Sequence, residues 1–176
     1  VGPYAWKIDN TPCGTHGDYT MSAWNGYGWV PDAAGGCGQR VAVDGSGAPW
    51  VTTSWGTTWK RSSADPNTGS WQQLTSVDGA SWAMSSLDIG VGPYASWVIG
   101  ESYCSSGDCQ VWRHITHPEA RDASNNVQVI AANGWMPMKY GLNGVVRATA
   151  IASGIYGRPW IVKSNGEIWS TTMPAD

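Results

Sequence analysis

The sequence predicts an all-β chain, a small β-propeller of four blades with antiparallel strands, and three observations carry that prediction. Charged residues make up only 13% of the chain while glycine reaches 23 of 176, a balance that suits short strands and tight turns rather than helices. One tryptophan-centred frame recurs four times along the chain. A strand of small residues precedes that frame in three of the four copies, and 176 residues shared among four units gives 44 each, the length of one blade.

The first unit, residues 1–37, opens on "GPYAWKID" at Trp6, runs through a degenerate second strand around Tyr19 to Met21, and reaches Trp29. Residues 38–80 carry the small strand "QRVAVDG", then "GAPWVTTS" at Trp50, a second strand at Trp59 and a third element at Trp71. The third unit, 81–143, repeats this as "AMSSLDIG", "GPYASWVIG" at Trp97, then Trp112 and Trp135. Its "VGPYA" is identical to residues 1–5, and a cysteine follows the tryptophan by seven residues in both, at Cys13 and Cys104. The last unit, 144–176, reads "RATAIASG", "GRPWIVKS" at Trp160 and "GEIW" at Trp169. Strands nearest a propeller's axis are crowded and favour small residues, whereas the widening wedge between blades needs large flat fillers. The repeated indoles are therefore expected to be mainly packing. A closed ring would have the two ends share a blade; a larger array is the other possibility.

Four cysteines allow three pairings. Cys104 and Cys109 bracket a Gly-Asp turn, short enough for a hairpin-tip bridge, which leaves Cys13 for Cys37. Two disulfides imply an oxidising compartment and an extracellular, secreted protein. With a net charge of −3, the chain has no basic face for nucleic acid, and no apolar run is long enough for membrane insertion. No cysteine or histidine spacing favours a metal site, and no phosphate loop points to a cofactor.

The pattern of tryptophan, "AIASG", "GRPWIV" and "GEIW" from Trp135 to Trp169 resembles the tectonin propeller repeat, most clearly in the last unit. That resemblance implies a lectin-like protein that binds sugars on cell surfaces. The chain departs from it in its longer units, its disulfides and its count of four units.

Three tryptophans fall outside the repeated positions: Trp24, Trp55 and Trp82. Trp82 opens a small strand and reads as buried. Trp55 precedes Gly56 in the turn between two strands, where the chain should be exposed. Trp24 lies in "AWNGYGW", where Asn25 and Tyr27 supply polar groups beside an indole that can stack on a sugar ring. Trp24, Asn25, Tyr27 and Trp55 are the expected carbohydrate-binding residues, with a glycan or cell-surface polysaccharide as partner. The competing reading is a polysaccharide hydrolase or lyase using Asp44 and Asp88, taken to occupy matching places near the ends of small strands, with Glu101 beyond Trp97. A protein-binding module with exposed tryptophans is the third. His114, His117 and Glu119 lie within six residues, but Pro118 prevents a shared helical turn, so they read as a solvated connection. The polar segment 116–126 reads as a surface excursion or a short helix.

Overall fold

The computed structural model describes residues 4–74, 86–93, 95–100, 104–115, 119–121, 127–129, 134–140, 144–154 and 157–170. These form antiparallel sheets, with no helix among the described residues. The first sheet runs β1 (Ala5–Cys13), β2 (Asp18–Trp24), β3 (Trp29–Pro31), with β4 (Cys37–Gly38) also on β2. In the second, β5 (Arg40–Val43), β6 (Pro49–Thr52), β7 (Thr58–Arg61) and β8 (Trp71–Leu74) pair in chain order. The third joins β9 (Ser86–Val91), β10 (Ser96–Gly100) and β11 (Cys109–Ile115); β12 (Glu119–Arg121) and β13 (Val127–Val129) form a separate ribbon before β14 (Gly134–Pro137) returns to β11. Short pairs follow between β15 (Lys139–Tyr140) and β16 (Gly144–Val145), and between β17 (Arg147–Ala148) and β11. The fourth sheet is β18 (Ala150–Ser153), β19 (Pro159–Val162) and β20 (Ile168–Ser170).

The order small strand, "PW" strand, second tryptophan strand, third tryptophan strand is thus the order of hydrogen bonding in the second and third sheets. The ribbon accounts for the extra length of the third unit: part of the segment expected as an excursion or helix pairs as strands, Glu119 with Val129 and Arg121 with Val127. Trp82 lies outside the described residues.

The sheets follow one another in space as in sequence. Side chains alternate across a strand, so each central strand faces both ways. Trp50 points forward with Leu74 onto Ile89, Val91, Val98 and Trp135 of the third sheet. Val51, next to it, points back onto Trp6, Met21 and Ala23 of the first. Trp97 and Ile99 in turn point forward onto Ile151 and Ile161 of the fourth. Each of the three spaces between sheets is filled by its own apolar cluster, with Trp6, Trp50 and Trp97 all buried. The small strands are neighbours, β5 touching β9 and β9 touching β18, and in the first sheet the tryptophan strand β1 takes that place beside β5. Gly90 shows why they must be small, since a Cβ there would lie 2.8 Å from the Ala152 backbone.

A polar network ties the first two sheets at one end. Arg61, fully buried, donates from Nε and Nη2 to Asp32 at 2.9 and 2.8 Å. Its remaining N–H groups bond the carbonyls of Ser63, Asp65, Pro66 and Thr68, which winds the 62–70 loop around the guanidinium. The other Asp32 oxygen accepts from Trp71 Nε1 at 2.7 Å and from Gly36 N at 2.7 Å. A buried charge pair of this kind persists only when its remaining valences are satisfied. Both expected disulfides are present, Cys13–Cys37 and Cys104–Cys109.

The fourth frame breaks the pattern. Trp160 occupies the position of Trp50 and Trp97, yet it is 52% exposed where they are 3% exposed. No following sheet covers it among the described residues.

Candidate functional site

The hairpin between β6 and β7 and the hairpin between β19 and β20 are closed by the same five-residue turn. In both, the first residue's N–H bonds the fifth residue's carbonyl and the glycine N–H bonds the first residue's carbonyl: Thr53 with Thr57 and Gly56, Lys163 with Glu167 and Gly166. Gly56 and Gly166 take φ of 72° and 84°, a region that residues with a Cβ avoid. The serine at the second position docks on the preceding sheet in each case. Ser54 donates from N and Oγ to the two Asp18 carboxylate oxygens at 2.7 and 3.1 Å. Ser164 N donates to Asp108 Oδ1 at 2.7 Å. The sequence signal for this staple was available, as "GD" at Gly17-Asp18 and Gly107-Asp108 facing "S-x-G", but neither half is informative without the pairing of sheets.

The two turns differ at their third residue, which points to solvent. In the fourth sheet it is Asn165; in the second it is Trp55, 63% exposed. The indole is held by His16, from the β1–β2 turn, with ring centres 4.5 Å apart and planes at 68°. The Asp18–Ser54 contact beneath fixes both turns, so the pair spans the edge between the first two sheets. Gln39 Nε2 donates to Gly17 O at 3.2 Å and adds an exposed amide at the same edge. The site is therefore an exposed indole braced on one side, with an imidazole and an amide beside it. Sequence reasoning found Trp55 but missed His16, because their partnership depends on two turns from different sheets.

The other three expected residues lie elsewhere. Trp24 and Asp18 are the two ends of β2, six residue steps or roughly 20 Å apart, and Trp55 sits at the Asp18 end. Trp24 packs edge-on against Trp29, centres 5.6 Å apart, on the sheet face that also carries Lys7, whose Nζ is 4.8 Å from the Trp29 ring. Asn25 is engaged as a turn cap: its Oδ1 accepts from the N–H groups of Tyr27 and Gly28, both at 3.0 Å. Tyr27 is 96% exposed at the tip of that turn. The four residues thus form two separate groups.

The proposed match between Asp44 and Asp88 is corrected by strand register. Asp88 pairs with Ile99, two residues past Trp97. In the second sheet the residue paired two past Trp50 is Arg40, opposite Thr52. Asp88 therefore stands in Arg40's place, and Asp44 lies in the turn beyond β5. The strand runs on through "DIGV" where "DG" at Asp44 begins a turn. Asp44 caps that turn, accepting from Ser46 N, Ser46 Oγ and Ala48 N on Oδ1 and from Trp50 Nε1 on Oδ2, with Lys60 Nζ at 3.4 Å. Burial raises its pKa, but these donors outweigh burial and leave it below the usual carboxylate range. Asp88 accepts from Ile151 N at 2.9 Å across to the fourth sheet; burial outweighs that bond and the more distant Arg40, and leaves its pKa raised. The two carboxylates serve separate networks. Glu101 and His117 lie outside the described residues. His114 is buried between Trp50 and Trp135, ring centres at 5.3 and 5.0 Å, in place of the solvated connection expected for it.

Fold and site together define an all-β, disulfide-bonded protein of successive antiparallel sheets with a braced aromatic group at a turn edge. No protein-family model matches the chain, and no curated protein is significantly similar to it.

Proposed function

We propose that this is a secreted, lectin-like carbohydrate-binding protein, whose four sheets are successive blades of a β-propeller left open between the first and the fourth, and whose sugar platform is Trp55 braced by His16. The observation that carries the reading is the substitution of an exposed, braced indole for Asn165's counterpart in an otherwise repeated turn. Packing does not require Trp55, since the sister turn folds without it. An indole face takes the C–H face of a pyranose, while imidazole and amide groups at its edge take hydroxyls. The succession of small strands supports the blade reading, and the disulfides support export. The tectonin-like frame agrees with both.

A glycan array followed by titration of the best ligand tests the assignment. Trp55→Ala is expected to weaken binding by at least about tenfold, His16→Ala to weaken it less, and Tyr27→Ala to leave it unchanged. Binding that survives Trp55→Ala and disappears in Tyr27→Ala would move the site to the other end of β2.

A further inference from the structure

Where one sheet's forward face meets the next sheet's rear face, the same parts recur. The forward face offers an indole, Trp6 or Trp50. The rear face offers a register pair from its last two strands: Arg61 opposite Trp71 in the second sheet, His114 opposite Trp135 in the third. Arg61 Cζ lies 5.5 Å from the Trp6 ring, and His114 lies 5.3 Å from Trp50. The corresponding pair in the first sheet is Trp24 opposite Trp29. Among the described residues its rear face has no sheet behind it, and these indoles are 38% and 45% exposed. The fourth sheet presents the complementary half, with Trp160 52% and Ile168 68% exposed on its forward face. Each end of the succession displays what the other end lacks.

We propose that two copies of this chain associate head to tail, the forward face of one fourth sheet seated on the rear face of the other copy's first sheet. Among the described residues both faces stay exposed and the first and fourth sheets do not cover each other, and a second copy carries both halves in the right sense. The first sheet's rear face is also built for a surface that is sometimes wet. Where the second, third and fourth sheets place Val51, Val98 and Ile161, it places Lys7, which lies on Trp29 and is paired with Asp9 at 2.9 Å. Ser22 Oγ adds a bond to the other Asp9 oxygen at 2.7 Å. Interfaces between separately soluble chains carry such satisfied polar groups around an aromatic centre. The contact is heterologous, so it uses two different patches. It rests on the packing of the sheets and stands or falls independently of glycan binding.

Sedimentation velocity over a wide concentration range tests this. The wild-type chain is expected to exceed the 18.8 kDa of one copy as concentration rises. Trp160→Asp and Trp24→Asp should each remain single copies, because each loses one of the two patches. Mixed in equal amounts, they should associate again as pairs, since one variant keeps the rear face and the other the forward face. Ile168→Lys should behave as Trp160→Asp does, with circular dichroism checking that each variant is folded. A wild-type chain that stays a single copy throughout, single variants that still associate, or a mixture that does not would each overturn the proposal.

Discussion

Trp97 and Trp160 sit in the same frame, on the same strand of successive sheets, opposite equivalent neighbours, and their surroundings are opposite. Trp97 is closed in by Ile151 and Ile161 of the sheet that follows, and its Nε1 donates to Gly157 O of that sheet at 2.9 Å. Trp160 has no following sheet among the described residues. A recurring residue therefore marks a recurring position but does not by itself establish burial, because the space it fills is made by the next unit. The contrast separates the stability function of the repeated indoles from the surface they leave at the ends.

The sharpest test of that contrast is truncation of both. Trp97→Ala removes a buried indole and is expected to cost about 3–5 kcal/mol, read as a shift in urea midpoint. Trp160→Ala, measured at a concentration where the chain is a single copy, should change stability by less than about 0.5 kcal/mol. Equal losses at the two sites would show that the fourth frame is covered after all.

Polar closure of the first space can be broken separately. Arg61→Met leaves Asp32 buried without its cation and frees the carbonyls of the 62–70 loop, at an expected cost of about 3 kcal/mol. Lys60→Met, one residue away on a half-exposed ion pair, should change stability by less than about 1 kcal/mol. Comparable effects would mean that the Arg61 network is not a structural centre.

A smaller effect probes the contact between the small strands β9 and β18. Gly90→Ala should cost about 1–3 kcal/mol through overpacking against Ala152, whereas Gly28→Ala meets open space and serves as the control. A neutral Gly90→Ala would indicate that β9 and β18 approach less closely than the structure shows.

The smallest difference is one of sign with pH. The lowered pKa of Asp44 means that its ionised form stabilises the fold above the usual carboxylate range, a contribution lost as pH falls through the folded value. Asp88 is raised, so its contribution is fullest in acid and declines as pH rises through the folded value. At neutral pH Asp44→Asn should be less stable than wild type and Asp88→Asn more stable, with both differences shrinking in acid. Chemical denaturation across the acid range reads both, and a common sign would refute the separate roles of the two carboxylates.

Much of this architecture was legible in the residues. Frames around Trp50 and Trp97, the small strands in "QRVAVDG" and "AMSSLDIG", and the cysteine spacing all report local demands: a strand's period, a turn's glycine, a crowded neighbour. Register was less legible. "DG" at Asp44 and "DIG" at Asp88 look alike as text, yet one begins a turn and the other lies within a strand, because the length of the small strand is decided by what it pairs with. His16 was invisible as a partner of Trp55 for a related reason: the two turns meet only when Asp18 of one sheet accepts the Ser54 bonds of the next.

The sequence alone determined the all-β class, the strand order within a unit and which cysteines pair, since each depends on neighbours close along the chain. Only the tertiary structure decided which indoles are enclosed, that Trp24 and Trp55 lie at opposite ends of one strand, and that Arg61 anchors a loop. Those outcomes depend on contacts between sheets, and the energy of such contacts is set by the surface that a distant unit brings to meet them.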